Sequence, residues 1–273
     1  MALANALDAR GHAGRDTGAL LAAVLLVGGS LNGLLVRVLE AWQLHGFDSP
    51  LLGVSPFEIL ATVVGARAIL ASDSTAGSFR SWPELAFGAA MLVPSSAASW
   101  FAVAAYALLG AARSRGEGRA GYLLFLALAL CSIWSSVLLK WWAGPAAALD
   151  AHAVWGILSW FRSDLAVAGN VVGVPTGHNL IIMTACTSAS LTPKALLGLA
   201  ALNMLADGKV GRRLGAAAVA VAVLSVGINL LRLLLMASSA DLYALIHGPV
   251  GANGFDALQT LAVVGLGLWA ARA

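Results

Sequence analysis

The chain has 273 residues, of which 60% are hydrophobic and only 11% are charged. A soluble domain usually carries about 25% charged residues, so a water-facing surface made from this sequence would expose large apolar patches. The composition excludes an ordinary soluble fold and predicts a single all-α, multi-pass membrane domain over residues 1–273. The net charge of +3 comes from basic residues scattered among short loops, which argues against nucleic-acid binding.

Long apolar runs follow one another along the chain, most of them close to the ~20 residues that a membrane-spanning helix needs. The first run is followed by Arg37 and Glu40 and has no convincing cleavage site after it, so it predicts a retained span. The third run holds Pro94 and is either one kinked helix or two short segments. Seven or eight transmembrane helices are therefore expected, in the runs Gly18–Val36, Pro56–Ala71, Pro83–Ala112, Gly121–Trp142, Ser190–Ala206, Arg213–Ala237 and Phe255–Ala271.

Loop charges predict the orientation of the second half. Short cytoplasmic loops are enriched in Lys and Arg. Two loops are basic here, one with Arg113, Arg115 and Arg119 and the other with Lys209, Arg212 and Arg213. With both in the cytoplasm, the stretch Ala143–Ala189 and the loop Asp241–Gly254 lie on the outer side. We expect a plasma-membrane protein in contact with lipid, while the charges of the first half leave its orientation open.

The outer stretch has two parts. Gly144–Phe161 combines Asp150 and several tryptophans with apolar residues, which is typical of an amphipathic helix lying at the membrane interface. Val167–Thr184 consists of short β-branched runs between glycines, which predicts a small hairpin at the membrane surface. Cys186 follows this hairpin directly and precedes the next long apolar run.

Cys186 stands in the segment Thr184-Ala185-Cys186-Thr187-Ser188, at the start of a predicted helix. A helix N-terminus carries about half a positive charge, which lowers the pKa of a thiol and favours the nucleophilic thiolate. The structural alternative is a small buried side chain, because free cysteine is among the most buried residue types. Cys131 lies inside an apolar run and fits that alternative better.

Asn229 and Arg232 are three residues apart, so they share one face of a predicted helix. An arginine in an apolar run usually faces a functional interior, although one near the interface also extends to the lipid headgroups. His247 stands in the outer loop after this helix, where a lone histidine is ordinarily solvated.

Together these residues form a chemical set on one predicted side of the membrane. Cysteine supplies a nucleophile, histidine exchanges protons, and arginine stabilises an oxyanion, as a thiol acyl-transfer reaction requires. Two alternatives stay open: a transporter with Arg232, Asn229 and Asp256 along a polar path, and a non-catalytic membrane assembly factor in which Cys186 is inert. The sequence holds no spacing typical of a metal site, and no motif indicates a cofactor.

The motifs Ala185-Cys186-Thr187-Ser188, Asn229-Leu-Leu-Arg232 and Ile246-His247-Gly248 resemble, in order and spacing, the exosortase/archaeosortase family of polytopic membrane enzymes. The resemblance covers residues 145–260, including the glycine-rich segment before Cys186. It implies a cysteine peptidase or transpeptidase that cleaves C-terminal sorting tails of exported proteins through a thioester. Cys186 would be the nucleophile, His247 the acid/base and Arg232 the transition-state stabiliser, with Asn229, Thr187 and Ser188 as supporting residues. Many members have Ser-Gly after the cysteine, where this chain has Thr187-Ser188.

Overall fold

The structure is a computed structural model that describes residues 2–45, 54–72, 82–174, 177–206 and 210–272. These ranges are mostly helical, carry one small sheet, and divide into two compact units, residues 1–136 and 137–273. Four helical stretches are long and apolar enough to cross a membrane: Gly18–Glu40, Gly116–Trp141, Arg212–Ser238 and Pro249–Ala271. This architecture agrees with the all-α membrane fold predicted from the composition.

The first unit contains five helices in its described part: α1 (Ala2–His45), α2 (Pro56–Leu70), α3 (Trp82–Met91), α4 (Ser96–Arg113) and α5 (Gly116–Ile133). The third apolar run forms two helices, because Pro94 lacks a backbone N–H and Ser95 starts a new helix. The Ser95 hydroxyl accepts a hydrogen bond from the N–H of Ala98 at 3.4 Å, which caps α4.

Small residues let two helices of this unit approach closely. A Cβ atom added to Gly121 of α5 would lie 2.7 Å from the carbonyl oxygen of Gly65 on α2. Side chains at these positions would force the helices apart, and small residues at such contacts are typical of helix packing in membranes.

The structure gives four candidate spans in its described residues, so the prediction of seven or eight was wrong. The runs that fail are helical but shorter or less apolar than expected. α2 has 15 residues and α3 has 10, which is too short for a bilayer crossing. α4 and α8 (Ser188–Leu205) have 18 residues each, and their mean hydropathy is lower than that of the four candidates.

The second unit begins in a π-helical turn (Trp134–Leu138) and the short α6 (Leu139–Trp141). It continues with α7 (Ala143–Leu158), three strands β1 (Ala166–Ala168), β2 (Val171–Gly173) and β3 (Asn179–Ile181), and a 3-10 turn (Thr184–Cys186). After α8 come α9 (Arg212–Ser238), α10 (Ala240–His247) and α11 (Pro249–Ala271). The helix expected over Gly144–Phe161 is α7, and the expected hairpin is part of a three-stranded antiparallel sheet, with strand order β1-β2-β3.

One face of the sheet packs on α7 and α9. Val172, Leu180 and Ile182 are buried together with Ala151 and Val154 of α7 and Leu233 and Met236 of α9. The turn between β1 and β2 has two residues, and Gly169 adopts a φ of 59°, which suits glycine. The sheet and both helices thus share one apolar core, on which Cys186 packs.

Candidate active site around Cys186

Cys186 ends the 3-10 turn that connects the sheet to α8. Its backbone N–H donates to the carbonyl of Met183 at 2.9 Å, which closes the turn. The Thr187 hydroxyl donates to the carbonyl of Thr184 at 2.8 Å and accepts the N–H of Ser190 at 3.3 Å. Thr187 is therefore the N-cap of α8, and the half-buried Cys186 immediately precedes the helix.

Asn229 of α9 holds this turn from the opposite side. Its Nδ2 donates to the carbonyl oxygen of Cys186 at 2.9 Å and to Ser188 Oγ at 3.1 Å. A carbonyl only accepts, so these bonds fix the orientation of the amide. Asn229 is 2% exposed, and its Oδ1 has no hydrogen-bond partner among the described residues. Asn229 therefore ties α9 to the residue that carries the thiol.

Asp150 of α7 is a third support for the same turn. Its Oδ2 accepts the backbone N–H of Ser188, the first residue of α8, at 2.7 Å. The carboxyl group is buried, and this burial raises the pKa of Asp150, while hydrogen bonds from the backbone and side chain of Ser188 lower the pKa less strongly. An acceptor from α7 thus satisfies a helix N-terminal donor beside Cys186.

Arg232 lies one turn after Asn229 on α9 and is half-buried. Its Nε is buried without a hydrogen-bond partner in the described part of the chain. The guanidinium charge acts on Cys186 and lowers the pKa of its thiol. Arg232 and Cys186 are therefore within electrostatic reach of each other.

The thiol pKa differs from the expectation drawn from its position. Burial raises the pKa of the Cys186 thiol, and the opposing effect of Arg232 is smaller. At the helix N-terminus, the N–H groups of Ser188 and Ser190 are bonded to Asp150 and Thr187. The thiol pKa is shifted upward, which is opposite to the lowering expected from the position of Cys186.

His247 ends α10 and is exposed. Its ring contacts the edge of the Tyr243 ring, with the centroids 5.1 Å apart, and Tyr243 packs on the same apolar core as Cys186. No hydrogen bond joins His247 to Cys186 within the described ranges. The structure therefore brings Cys186, Asn229 and Arg232 together, with Thr187 and Ser188, and leaves His247 near the core without direct contact to the thiol.

His178 lies on the other side of Tyr243. The two rings have centroids 5.7 Å apart, and His178 Nε2 donates to the carbonyl of Met236 at 2.9 Å. The sequence analysis did not select His178 or the buried acceptor Asp150. An aspartate among apolar residues of a helix was the only sign of Asp150 in the sequence, and its partner stands 38 positions away.

The two remaining sequence candidates lie outside this arrangement. Cys131 is buried in α5, in the first unit. Asp256 of α11 is exposed, and its side chain makes no hydrogen bond or ion pair with Asn229 or Arg232 among the residues described. In the same ranges, no group of three or more His, Cys, Asp and Glu side chains is arranged to hold a metal ion.

The fold and this site define the chain as a mostly helical protein with four candidate membrane spans in its described residues. Its half-buried Cys186 lies in a turn whose backbone is hydrogen-bonded to Asn229 and Asp150. No protein-family model, curated protein or solved structure matches the chain.

Proposed function

We propose that this protein is a membrane-embedded cysteine peptidase or transpeptidase that cleaves C-terminal sorting tails of exported proteins through a thioester on Cys186. The observation that carries the proposal is the support given to the turn at Cys186 by two helices, α9 and α7. Asn229 of α9 holds the carbonyl of Cys186, Asp150 of α7 accepts the N–H of Ser188, and the thiol lies in the field of Arg232 of α9.

The reaction begins when the thiol proton of Cys186 passes to His247. The Sγ atom then attacks the carbonyl carbon of the scissile peptide bond, and Arg232 stabilises the negative charge that develops on the carbonyl oxygen. The carbon–nitrogen bond breaks, and the leaving amine takes the proton from His247. The products of this half are a released C-terminal tail and an acyl thioester on Cys186.

In the second half, water or an amine attacks the thioester carbonyl. His247 takes a proton from this nucleophile and returns it to Sγ, which leaves as the thiol. Water yields a free carboxyl group, and an amine yields a new amide. No cofactor takes part in either half.

His247 is exposed and free of hydrogen bonds to the thiol within the described residues, so the reaction requires it to approach Cys186 when substrate binds. Proton-transfer distances are often long without substrate and shorten in the Michaelis complex. His247 is the last residue of α10 and contacts the Tyr243 ring, so this contact changes in the proposed approach.

The orientation proposed for the site follows from loop charges. Two basic groups flank the part of the chain that carries Cys186 and favour the cytoplasm: Arg113, Arg115 and Arg119 before it, and Arg212 and Arg213 after it. Lys209 lies outside the described residues. With both groups in the cytoplasm, Cys186 belongs to the outer face of the plasma membrane, where exported proteins with membrane-spanning sorting tails are accessible. This orientation requires the 18-residue α8 to cross the membrane between Cys186 and Arg212, in addition to the four candidate spans. The aromatic side chains near α7, such as Trp160, suit the membrane interface.

The test is a comparison of membrane-protein C-termini by mass spectrometry in cells that express wild type, Cys186→Ala or Cys131→Ala at matched levels. We expect a set of proteins to keep hydrophobic C-terminal tails only with Cys186→Ala. The Cys131→Ala cells control for thiol loss as such and should match wild type. Identical C-termini in all three strains, with the protein folded, would refute the peptidase and favour transport or assembly.

A further inference from the structure

β3 is an edge strand. It pairs with β2 on one side, and the order β1-β2-β3 places no strand of the described chain on its other side. Edge strands present unpaired backbone donors and acceptors, which other chains bind readily.

The register shows which backbone groups of β3 are free. The N–H of Ile182 donates to Asn170 at 2.9 Å, and the N–H of Val174 donates to His178 at 3.2 Å. Hydrogen-bonded pairs alternate along an antiparallel ladder, so Leu180 bonds to β2, while Asn179 and Ile181 turn their N–H and C=O groups away from it. Among the described residues, no hydrogen bond reaches those outward groups.

The side chains beside the free edge are apolar and exposed. Ile181 is 62% exposed and Met183 is 66% exposed, whereas Leu180 and Ile182 are buried on the opposite face. An added strand would therefore find both unpaired backbone groups and an apolar surface.

The same strand runs directly into the nucleophile. Cys186 stands five positions after Ile181, at most about 17 Å of extended chain, and the 3-10 turn shortens this distance. A peptide paired with β3 and extended by a few residues is therefore long enough to reach residue 186.

We propose that the free edge of β3 binds an extended segment of the protein substrate as an added strand, beside the peptide bond that Cys186 cleaves. This inference rests on the function proposed above. The ligand class is a peptide in β conformation, recognised mainly through its backbone, with alternate side chains against Ile181 and Met183. A proline at a position whose N–H pairs with β3 would prevent binding.

A substrate fits this edge better than a second copy of the chain. The outward groups of Asn179 and Ile181 provide at most four hydrogen bonds, each worth about 0.5–1.5 kcal/mol. Such a contact is too small for a stable dimer. It suits a segment that is already concentrated beside the site by its own membrane anchor and that leaves after cleavage.

The test uses proline substitutions in the full-length protein in cells. Ile181→Pro removes an outward N–H without removing a hydrogen bond to β2, so the sheet is kept. Val167→Pro is the control for damage to the sheet, because Val167 is the middle residue of the opposite edge strand β1 and also turns its N–H away from β2. Its side chain packs on the core, so this variant disturbs the sheet more than Ile181→Pro does. We expect Ile181→Pro to reduce tail removal at least tenfold, and Ile181→Ala and Val167→Pro to reduce it less.

A second measurement does not depend on how the proline variant folds. A photo-crosslinking amino acid at position 181, in a Cys186→Ala chain, should capture proteins whose tails the Cys186→Ala strain retains. Capture of a second copy of this chain instead, or of no retained protein, would overturn the strand-addition proposal. So would tail removal by Ile181→Pro equal to that of Val167→Pro. In those cases the peptidase still stands if Cys186→Ala retains tails, whereas unchanged C-termini in Cys186→Ala refute the peptidase itself.

Discussion

Arg232 and burial act on the Cys186 thiol in opposite directions. Burial raises the thiol pKa, and the positive charge of Arg232 lowers it by favouring the thiolate. Alkylation by iodoacetamide requires the thiolate, so its rate should follow a titration curve as pH rises. The midpoint of that curve should lie above the midpoint of an unperturbed thiol. In a Cys131→Ala background, Arg232→Ala should move this midpoint to higher pH.

Arg213→Ala is the control for that experiment, because it removes the same charge from α9 roughly 28 Å away along the helix and at an exposed position. It should leave the midpoint in place. An Arg232→Ala midpoint equal to that of Arg213→Ala would show that Arg232 does not act on the thiol.

Arg232→Lys should lose most tail-removing activity while it keeps the charge. The planar guanidinium offers several donors in a fixed arrangement, which a single ammonium group does not replace. The measurement is the retained-tail assay together with the alkylation midpoint. Near-normal activity of Arg232→Lys would remove Arg232 from the catalytic set.

Asp150 stabilises the fold through its hydrogen bond with Ser188, whereas its buried negative charge lowers the free energy of unfolding. Asp150→Ala should lower the free energy of unfolding by about 1–3 kcal/mol, because the N–H of Ser188 loses its buried acceptor. Asp150→Asn keeps an acceptor and removes a buried charge, so its stability at neutral pH should equal or exceed that of wild type. Thermal unfolding in detergent micelles measures both.

The pH dependence of that comparison has a definite sign. Because burial raises the pKa of Asp150, the folded state binds a proton that the unfolded chain releases. Wild type should therefore gain stability relative to Asp150→Asn as pH falls below neutral, with the full gain below the unfolded pKa near 4. A difference that is constant between pH 8 and pH 4 would contradict this account.

Asn229 holds the turn at Cys186 through a hydrogen bond to its backbone, and in the proposed peptidase it would position the nucleophile. Asn229→Ala should lower activity roughly tenfold to a hundredfold, since it leaves a buried carbonyl and hydroxyl unsatisfied at about 1–3 kcal/mol. The loss should fall mainly on kcat rather than KM, because Asn229 supports the nucleophile and not the substrate. Asn203→Ala, another buried asparagine in the second unit, should leave kcat nearly unchanged.

At the scale of elements, local sequence patterns predicted the helix break, the strands and the residues that share a helix face. Pro94 and Ser95 allowed for two helices within one apolar run, the glycines of 167–184 predicted strands, and the spacing of Asn229 and Arg232 placed them on one face. Contacts across long separations were not predictable in this way. The pairing of Asp150 with Ser188 and of His178 with Tyr243 depends on how α7, the sheet and α10 pack together.

The thiol pKa illustrates the same limit. The sequence placed Cys186 at a helix N-terminus, and this placement is correct. It gave no sign of the burial that raises the thiol pKa, so the expected lowering of the pKa did not follow.

At the scale of the whole molecule, the orientation proposed here predicts which positions face outward. A membrane-impermeant thiol reagent should label Ser163→Cys in intact cells and Glu117→Cys only after permeabilisation, in a chain that lacks both native cysteines. Both positions are exposed. The opposite pattern would place Cys186 in the cytoplasm, where sorting tails of exported proteins are out of reach.

Span number is the other property at this scale, and composition alone overestimated it. An apolar run shows that a segment avoids water, but helices such as α2 and α3 also avoid water by packing against their neighbours. The length of the helix, which depends on where its caps fall, separates the two situations.

The hydrogen bond from Asn229 reaches the backbone of residue 186 and not its sulfur. The scaffold therefore holds a position in the chain, whatever side chain that position carries. A serine or alanine there would be held by the same turn, so the backbone around position 186 should keep its conformation in Cys186→Ala. If the proposed peptidase activity is correct, this variant should bind substrates without releasing them and accumulate them.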